Sequence, residues 1–358
     1  MKILYITNGI TGAGGLERVL SVKCSILAEE LGYEVHIVSL NEMDKEKFYS
    51  FSDKIELHSF VVGGTFLQYL RVYKKQIQKV VNQVNPDIIC VCDDGLKGFF
   101  LPTLIKSKAK WIYERHVSKL IEENTLQNTF GKFFTSIKWW TMGKLGKSFS
   151  KFVVLTNGNV KEWDDLENLE VIPNPLSFYP AESSCLDQKI VICVGKISYQ
   201  KGQDILLKAW AEVHLRFPDW QLHLYGKENI QFLDTTKLEN NVFHFPPVRN
   251  IQQKYLESSI YVMSSRFEGF GMVLIEAMSC GLPCISFNCD YGPGDIIKDG
   301  VDGFLVDKED ERALADKIIA LIINTDLRRK MGHNAKQHVI DYAAPSIVNK
   351  WDKLFKSF

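Results

Sequence analysis

Two glutamates, Glu268 and Glu276, flank a glycine-containing turn in Arg266-Phe-Glu-Gly-Phe-Gly-Met-Val-Leu-Ile-Glu-Ala-Met-Ser-Cys-Gly281. A strand-like run ends at Ser264, and a helical pattern follows the turn. Gly269 and Gly271 let the backbone approach a ligand, and the helix start offers amides without intrahelical partners and a partial positive charge. Glu276 falls about 7 Å further along the helix at 1.5 Å per residue. Carboxylates accept hydrogen bonds from vicinal hydroxyls, so the pair could hold two sets of hydroxyls with a diphosphate on the helix end between them. A surface turn with a solvated glutamate leaves the same pattern.

Upstream, Cys193-Val-Gly-Lys196-Ile-Ser-Tyr-Gln-Lys201-Gly-Gln-Asp204 joins a strand to a helix. Lys196 and Lys201, on a turn with Gly195 and Gly202, make a cationic clamp for a diphosphate. Solvated loop lysines are the alternative, but the place at a strand's carboxyl end favours the clamp. No Asp-x-Asp occurs in the chain, so a metal-clamped site has no candidate, and neither a metal nor another cofactor is expected.

Positioning these groups requires a scaffold of strands and helices. Strands are expected at Lys2–Thr7, Glu34–Leu40, Pro86–Cys92, Lys110–Glu114 and Lys151–Thr156, with helices at Glu17–Leu31 and Lys74–Val84. After the proline-rich linker Val171–Pro180, strands are expected at Lys189–Val194, Gln221–Tyr225, Val242–Phe245, Ser259–Ser264 and Pro283–Phe287. Helices there are Gly202–Arg216, Met272–Ser279 and Glu311–Ile323. Apolar strands spaced by helices imply parallel α/β sheets covered on both faces. Two such halves around one hinge imply a cleft, with ligands at the carboxyl ends of strands. Over Pro345–Phe358, Ile347, Val348, Trp351, Leu354 and Phe355 recur at helical spacing.

The bulk composition excludes several classes. An apolar share of 46% and a charged share of 24% are those of a globular protein. A net charge of zero supplies no global field for nucleic acid. No stretch approaches the ~20 apolar residues of a membrane span. Met1–Leu4 runs straight into a strand without a leader pattern, so the chain is expected to be cytoplasmic. The eight cysteines are scattered and read as reduced, mostly buried thiols. Charge is uneven locally, however. Residues 124–152 hold Lys132, Lys138, Lys144, Lys147 and Lys151, no acid, and Phe130, Phe133, Phe134, Trp139 and Trp140. Such a stretch either lies on an anionic membrane surface, making the protein peripheral at the inner face of the membrane, or is a domain helix with its aromatics in the core.

Together these segments resemble glycosyltransferase family 4 of the GT-B fold, in its bacterial surface-polysaccharide form. The resemblance rests on Gly195…Lys201-Gly202, Tyr225-Gly226, the Glu268/Glu276 pair, Asp290-Tyr-Gly-Pro-Gly-Asp-Ile-Ile297, Gly300-Val-Asp-Gly-Phe-Leu-Val306 and Gly14-Gly15-Leu-Glu-Arg-Val-Leu20. It implies two facing Rossmann-like domains. These are an acceptor-side domain over 1–172, a nucleotide-sugar domain over 173–340, and a helix over 341–358 crossing back to the first. It also implies a retaining, metal-independent hexosyltransferase that moves a hexose or N-acetylhexosamine from a UDP-type donor to a glycan or lipid-linked acceptor. Glu276 would bind ribose hydroxyls, Glu268 would lie by the donor sugar, and Lys201 would hold the diphosphate. Backbone amides of Phe270, Gly271, Met272 and Val273 would line the sugar and phosphate. Gly14 and Gly15 would approach the phosphates, and His116 would lie near the reacting carbon. Lys196 stands where the family has arginine and so lacks the planar fork.

Two rival readings remain. A nicotinamide-dependent oxidoreductase shares the half-domain, but Gly12-Ala-Gly14-Gly15-Leu-Glu17 has glutamate where the dinucleotide fingerprint needs a third glycine, and only Glu42 lies near the end of the second strand. A catalytically inactive sugar- or partner-binding module on the same fold is the other.

Overall fold

The computed structural model describes residues 1–43, 45–119 and 129–358. Two compact units emerge, Met1–Pro175 with Ala344–Phe358, and Leu176–Ala343. Sequence places the divisions at 172/173 and 340/341. The chain leaves the first unit slightly later because Ile172 still donates to the Val154 carbonyl, and Leu176 then donates to Tyr342 inside the second unit.

The first unit holds a seven-stranded sheet in the order β3-β2-β1-β4-β5-β6-β7. Its strands are β1 (Lys2–Thr7), β2 (Glu34–Leu40), β3 (Glu56–Phe60), β4 (Ile88–Cys92), β5 (Lys110–Glu114), β6 (Lys151–Val154) and β7 (Leu169–Val171), and every pairing is parallel. Successive strand residues point to opposite faces. Leu4, Ile6, Val38 and Val91 therefore meet Tyr73, Ile77 and Val80 of α2 (Phe66–Val84) and Trp139 and Met142 of α3 (Thr129–Gly146). On the other face, Ile3, Tyr5, Val35 and Ile37 meet Leu20, Cys24 and Leu27 of α1 (Gly15–Glu29).

In the second unit the order is β10-β9-β8-β11-β12-β13, again all parallel. The strands are β8 (Ile190–Val194), β9 (Gln221–Tyr225), β10 (Val242–Phe245), β11 (Ile260–Met263), β12 (Cys284–Phe287) and β13 (Gly303–Val306). Its longer helices are α4 (Gln203–Arg216), α5 (Met272–Ser279), α6 (Glu311–Ile323) and α7 (Thr325–His338). The chain ends in α8 (Ala344–Lys356), which returns to the first unit. There Ile347, Val348, Trp351, Leu354 and Phe355 bury one helical stripe against the α1 side of the sheet. Tyr33 Oη donates to Asp352 Oδ1 at 2.6 Å.

Several elements differ from the sequence pattern. Helix α2 starts at Phe66 rather than Lys74, because Thr65 and Gln68 form a reciprocal capping box. Edge strand β3, Glu-Leu-His-Ser-Phe, has no β-branched residue, and pairing with β2 makes it a strand. All eight cysteines are free and only Cys185 is exposed. The basic aromatic stretch divides. Trp139 and Met142 face the core, whereas Phe133, Phe134, Ile137 and Trp140 are exposed. Residues 124–128 and the side chains of Phe130 and Lys132 lie outside the described residues. Among the described residues no helix is long and apolar enough to cross a membrane.

Candidate functional site

The loops after β8, β9, β11 and β12 gather at the carboxyl ends of the second sheet, and glycines allow their close approach. A Cβ on Gly226 would collide with the Gly195 carbonyl, and one on Gly202 with the Ser264 carbonyl. Gly202 also has φ +64°, in the left-handed region. Ser264 Oγ closes the contact by donating to the Lys201 carbonyl at 2.9 Å. A Cβ on Gly292 would likewise strike the Phe270 carbonyl, so the Asp290–Gly294 loop rests on the turn before α5.

This packing brings together two residues read separately from the sequence. Lys201 Nζ lies 2.5 Å from Glu268 Oε1, and Ser265 Oγ donates to the same oxygen at 2.6 Å. Glu268 is 5% exposed, so its charge is matched by the ammonium and not by bulk water. The lysine is therefore already paired with an acid of its own site. Glu276, one turn into α5 and buried, accepts from Ser177 Oγ at 3.1 Å. Gly271, with φ +96°, caps α5. The first amides of that helix, those of Met272 and Val273, have no intrahelical partners. Lys196 does not join the cluster. Its side chain is exposed, and its carbonyl accepts from Gln203 Nε2 at 3.1 Å.

Arg266, whose role the sequence pattern does not reveal, holds these loops. Its guanidinium forks onto Asp204 at 2.9 and 2.7 Å, donates to the Tyr199 carbonyl at 2.8 Å, and stacks on the Tyr199 ring at 4.1 Å. Its Nε reaches Glu309 at 2.5 Å. A planar fork suits this crosslink and a lysine would not.

Gly14, Gly15 and His116 belong to the first unit. Gly14 caps α1, but the loop before it is occupied from both sides by carboxylates. Glu42 accepts from the Ile10 amide at 2.7 Å and from Thr11 Oγ1 at 2.5 Å. The Glu17 carboxylate lies where a Cβ on Gly12 or Gly14 would go. Burial pushes the Glu17 carboxyl up, and Glu42 adds to this. Glu42, just after β2, is thus committed to the Ile10–Thr11 loop after β1 and is not placed to receive a ribose, which weakens the nicotinamide reading.

His116 follows β5. Its Nε2 lies 3.3 Å from Glu114 Oε2, and that oxygen is 2.5 Å from Lys23 Nζ. Both Lys23 and Glu114 are buried, and the ammonium sits 4.1 Å from the Trp351 ring centroid of α8. Burial pushes the Glu114 carboxyl up, but Lys23 and His116 pull it down further, to a net value below the ordinary range. His116 Nδ1 and Glu114 Oε1 are buried without hydrogen-bond partners. Cys92 completes a close group with Glu114 and His116, in which Lys23 already holds one of the two Glu114 oxygens.

Beside this, at the ends of β1 and β4, Asp93 accepts from Asn8 Nδ2 at 3.0 Å and from the Gly95 amide at 2.8 Å. Lys97 Nζ bonds Asn8 Oδ1 at 2.6 Å and Tyr69 Oη at 2.9 Å. Burial raises the Asp93 carboxyl against the pull of Lys97. The legible signals for these groups were a lysine at a core position of α1, between Leu20 and Leu27, and an acid closing the apolar strand β5.

A fold of two parallel-sheet Rossmann-like α/β domains is the GT-B class of scaffold. Residues 180–338, nearly the whole second unit, match the family model of glycosyl transferases group 1. Over 98% of both chains, the protein is 28% identical to an uncharacterized glycosyltransferase of Haemophilus influenzae. It is 29% identical over 99% of both chains to the amylovoran biosynthesis glycosyltransferase AmsD of Erwinia amylovora. Among solved structures, S. aureus TarM in complex with fondaparinux, alpha-GlcNAc-glycerol and UDP superposes with a TM-score of 0.80, at 16% identity and 99% coverage of both chains. That likeness carries the fold.

Proposed function

We propose that the chain is a retaining glycosyltransferase that moves a hexose or N-acetylhexosamine from a UDP-sugar to a glycan or lipid-linked acceptor during surface polysaccharide synthesis. The carrying observation is the cluster of half-buried Lys201 with buried Glu268 and Ser265, beside the amides that open α5. The similarity to AmsD and the UDP bound by TarM support the donor class.

In this reading Glu276 takes ribose hydroxyls and Glu268 takes sugar hydroxyls. Lys201, Lys196 and the amides of Phe270, Gly271, Met272 and Val273 take the diphosphate. The bond from C1 to the diphosphate oxygen breaks as the acceptor oxygen bonds C1 on the same face. The acceptor proton passes to the departing phosphate oxygen, so no enzyme base is obligatory. Cation and helix dipole stabilise the leaving charge without metal. His116, oriented by Glu114, is the candidate catalytic group of the first unit. Donor turnover should persist in EDTA and disappear in Glu268→Ala while UDP still binds. A strict Mn²⁺ or Mg²⁺ requirement would overturn the metal-free reading, and a thermal shift with NAD but not UDP would overturn the transferase reading.

The exposed Phe133, Phe134, Ile137 and Trp140 of α3, with Lys144 and Lys147 nearby and no acid over 124–152, support a second element, docking on an anionic membrane surface. Co-sedimentation with anionic vesicles, lost in a Trp140→Ser, Lys144→Gln, Lys147→Gln variant, is the expected result. Equal sedimentation with neutral and anionic vesicles, or none, would refute it.

A further inference from the structure

Two Glu-x-His triplets lie side by side in the first unit. Glu34-Val-His36 opens β2, and Glu56-Leu-His58 opens β3. The strands are parallel, with His36 opposite Glu56 and Val38 opposite His58. The two-residue strand period therefore puts all four polar side chains on one face. His36 Nδ1 lies 3.1 Å from His58 Nε2 and 3.3 Å from Glu56 Oε2. One ligand atom from each of the three residues falls within 4.8 Å of the others. Donor atoms in a tetrahedral zinc shell, bonded at about 2.0–2.1 Å, sit about 3.3 Å apart. On the other side of the buried ring, His36 Nε2 is 3.2 Å from Glu34 Oε1, a carboxylate oxygen also held by Lys2 Nζ at 2.8 Å.

A neutral imidazole donates from one nitrogen only, yet His36 has a carboxylate at each. When Nε2–H serves Glu34, the Nδ1 lone pair faces the Glu56 carboxylate and the His58 ring. A cation at their meeting point, in place of the proton that His58 Nε2 can otherwise share with His36 Nδ1, makes these three atoms a ligand set. The Glu34 contact is also the carboxylate–histidine arrangement that fixes ring tautomer behind a metal ligand. We propose that His36 Nδ1, His58 Nε2 and a Glu56 oxygen bind a zinc-class divalent cation, with solvent completing the shell on the exposed Glu56 side. Two imidazoles and one carboxylate suit Zn²⁺ better than Mg²⁺. The group lies towards the amino-terminal ends of β2 and β3, whereas the Gly9–Gly14 loop, Asp93 and His116 follow the carboxyl ends of their strands. Its effect is to clamp edge strand β3 to β2, outside the transfer chemistry.

The test uses the full chain stripped with chelator, then titrated with Zn²⁺ by calorimetry and with Co²⁺ by visible absorbance. One equivalent should bind, raise Tm and give the d–d bands of tetrahedral cobalt, with donor turnover unchanged. His58→Gln should keep the Tm of the stripped wild type and lose the cobalt bands. Glu34→Gln, which removes no ligand, should weaken zinc binding by about 10–100-fold. No binding by the wild type would overturn the proposal. Binding that survives His58→Gln would overturn it too, by placing the metal elsewhere, for example on exposed Cys185.

Discussion

Lys23→Met removes the ammonium from the buried pair while keeping a stem of similar volume, so packing changes little. In the wild type, Lys23 Nζ lies 2.5 Å from Glu114 Oε2 with both side chains at 0–1% exposure. The variant leaves a buried carboxylate whose remaining partner is His116 Nε2 at 3.3 Å. Breaking one partner of such a pair costs about 3–5 kcal/mol, and the Trp351 contact at 4.1 Å is lost with it. The pH dependence separates this from a packing defect. With Lys23 present, the folded Glu114 carboxyl lies below its ordinary value, so its stabilisation is full above the unfolded pKa and is lost as pH falls through the folded one. Without Lys23, burial dominates and raises the folded pKa. The penalty is then full at neutral pH and shrinks as pH falls towards the unfolded value of about 4.3. Urea unfolding followed by fluorescence should give a deficit of about 3–5 kcal/mol at pH 7 and a smaller one at pH 5. Adding Glu114→Gln to Lys23→Met should recover much of the loss at pH 7. A deficit under about 1 kcal/mol, or one independent of pH, would refute the reasoning.

Other outcomes follow from the second unit. Arg266→Lys replaces a fork that spans Asp204 and the Tyr199 carbonyl with a single ammonium. UDP affinity should fall about tenfold or more, a loss of about 1–3 kcal/mol for charge-assisted bonds, measured by calorimetry; unchanged affinity would sink the loop-holding role. Gly202→Ala meets a φ of +64°, at about 1–2 kcal/mol, as well as overlap with the Ser264 carbonyl, so its thermal unfolding should occur well below the wild type. Glu17→Gln removes a carboxylate lying over Gly12 and Gly14. If phosphates approach that loop, donor KM should fall with little change in kcat; a rise in KM would place the phosphates elsewhere.

Much of the scaffold was legible because it is written in local patterns. The apolar strands β1, β4 and β8 are buried on both faces and so read as continuous hydrophobic runs. The glycine turn before α5 and the stripe Ile347–Phe355 declare themselves by conformation and period. The candidates Glu268 and Lys201 were likewise visible by type and by place in loops after strands, and Glu276 by its spacing from Glu268. Edge strand β3 was not, since its residues lack strand propensity and acquire their conformation from β2.

What the sequence alone determined is therefore the set of parts, two runs of alternating strands and helices with acids, lysines and glycines at their junctions. Tertiary structure decided which parts meet. Lys201 and Glu268 stand 67 residues apart and Lys23 and Glu114 stand 91 apart, and no local period records either pair. Arg266 turned out to be a crosslink, and Glu42 a clasp on the Ile10–Thr11 loop of the neighbouring strand, for the same reason. A side chain's charge is a property of the residue, but its partner is fixed by strand order, which parallel crossovers set across the whole sheet.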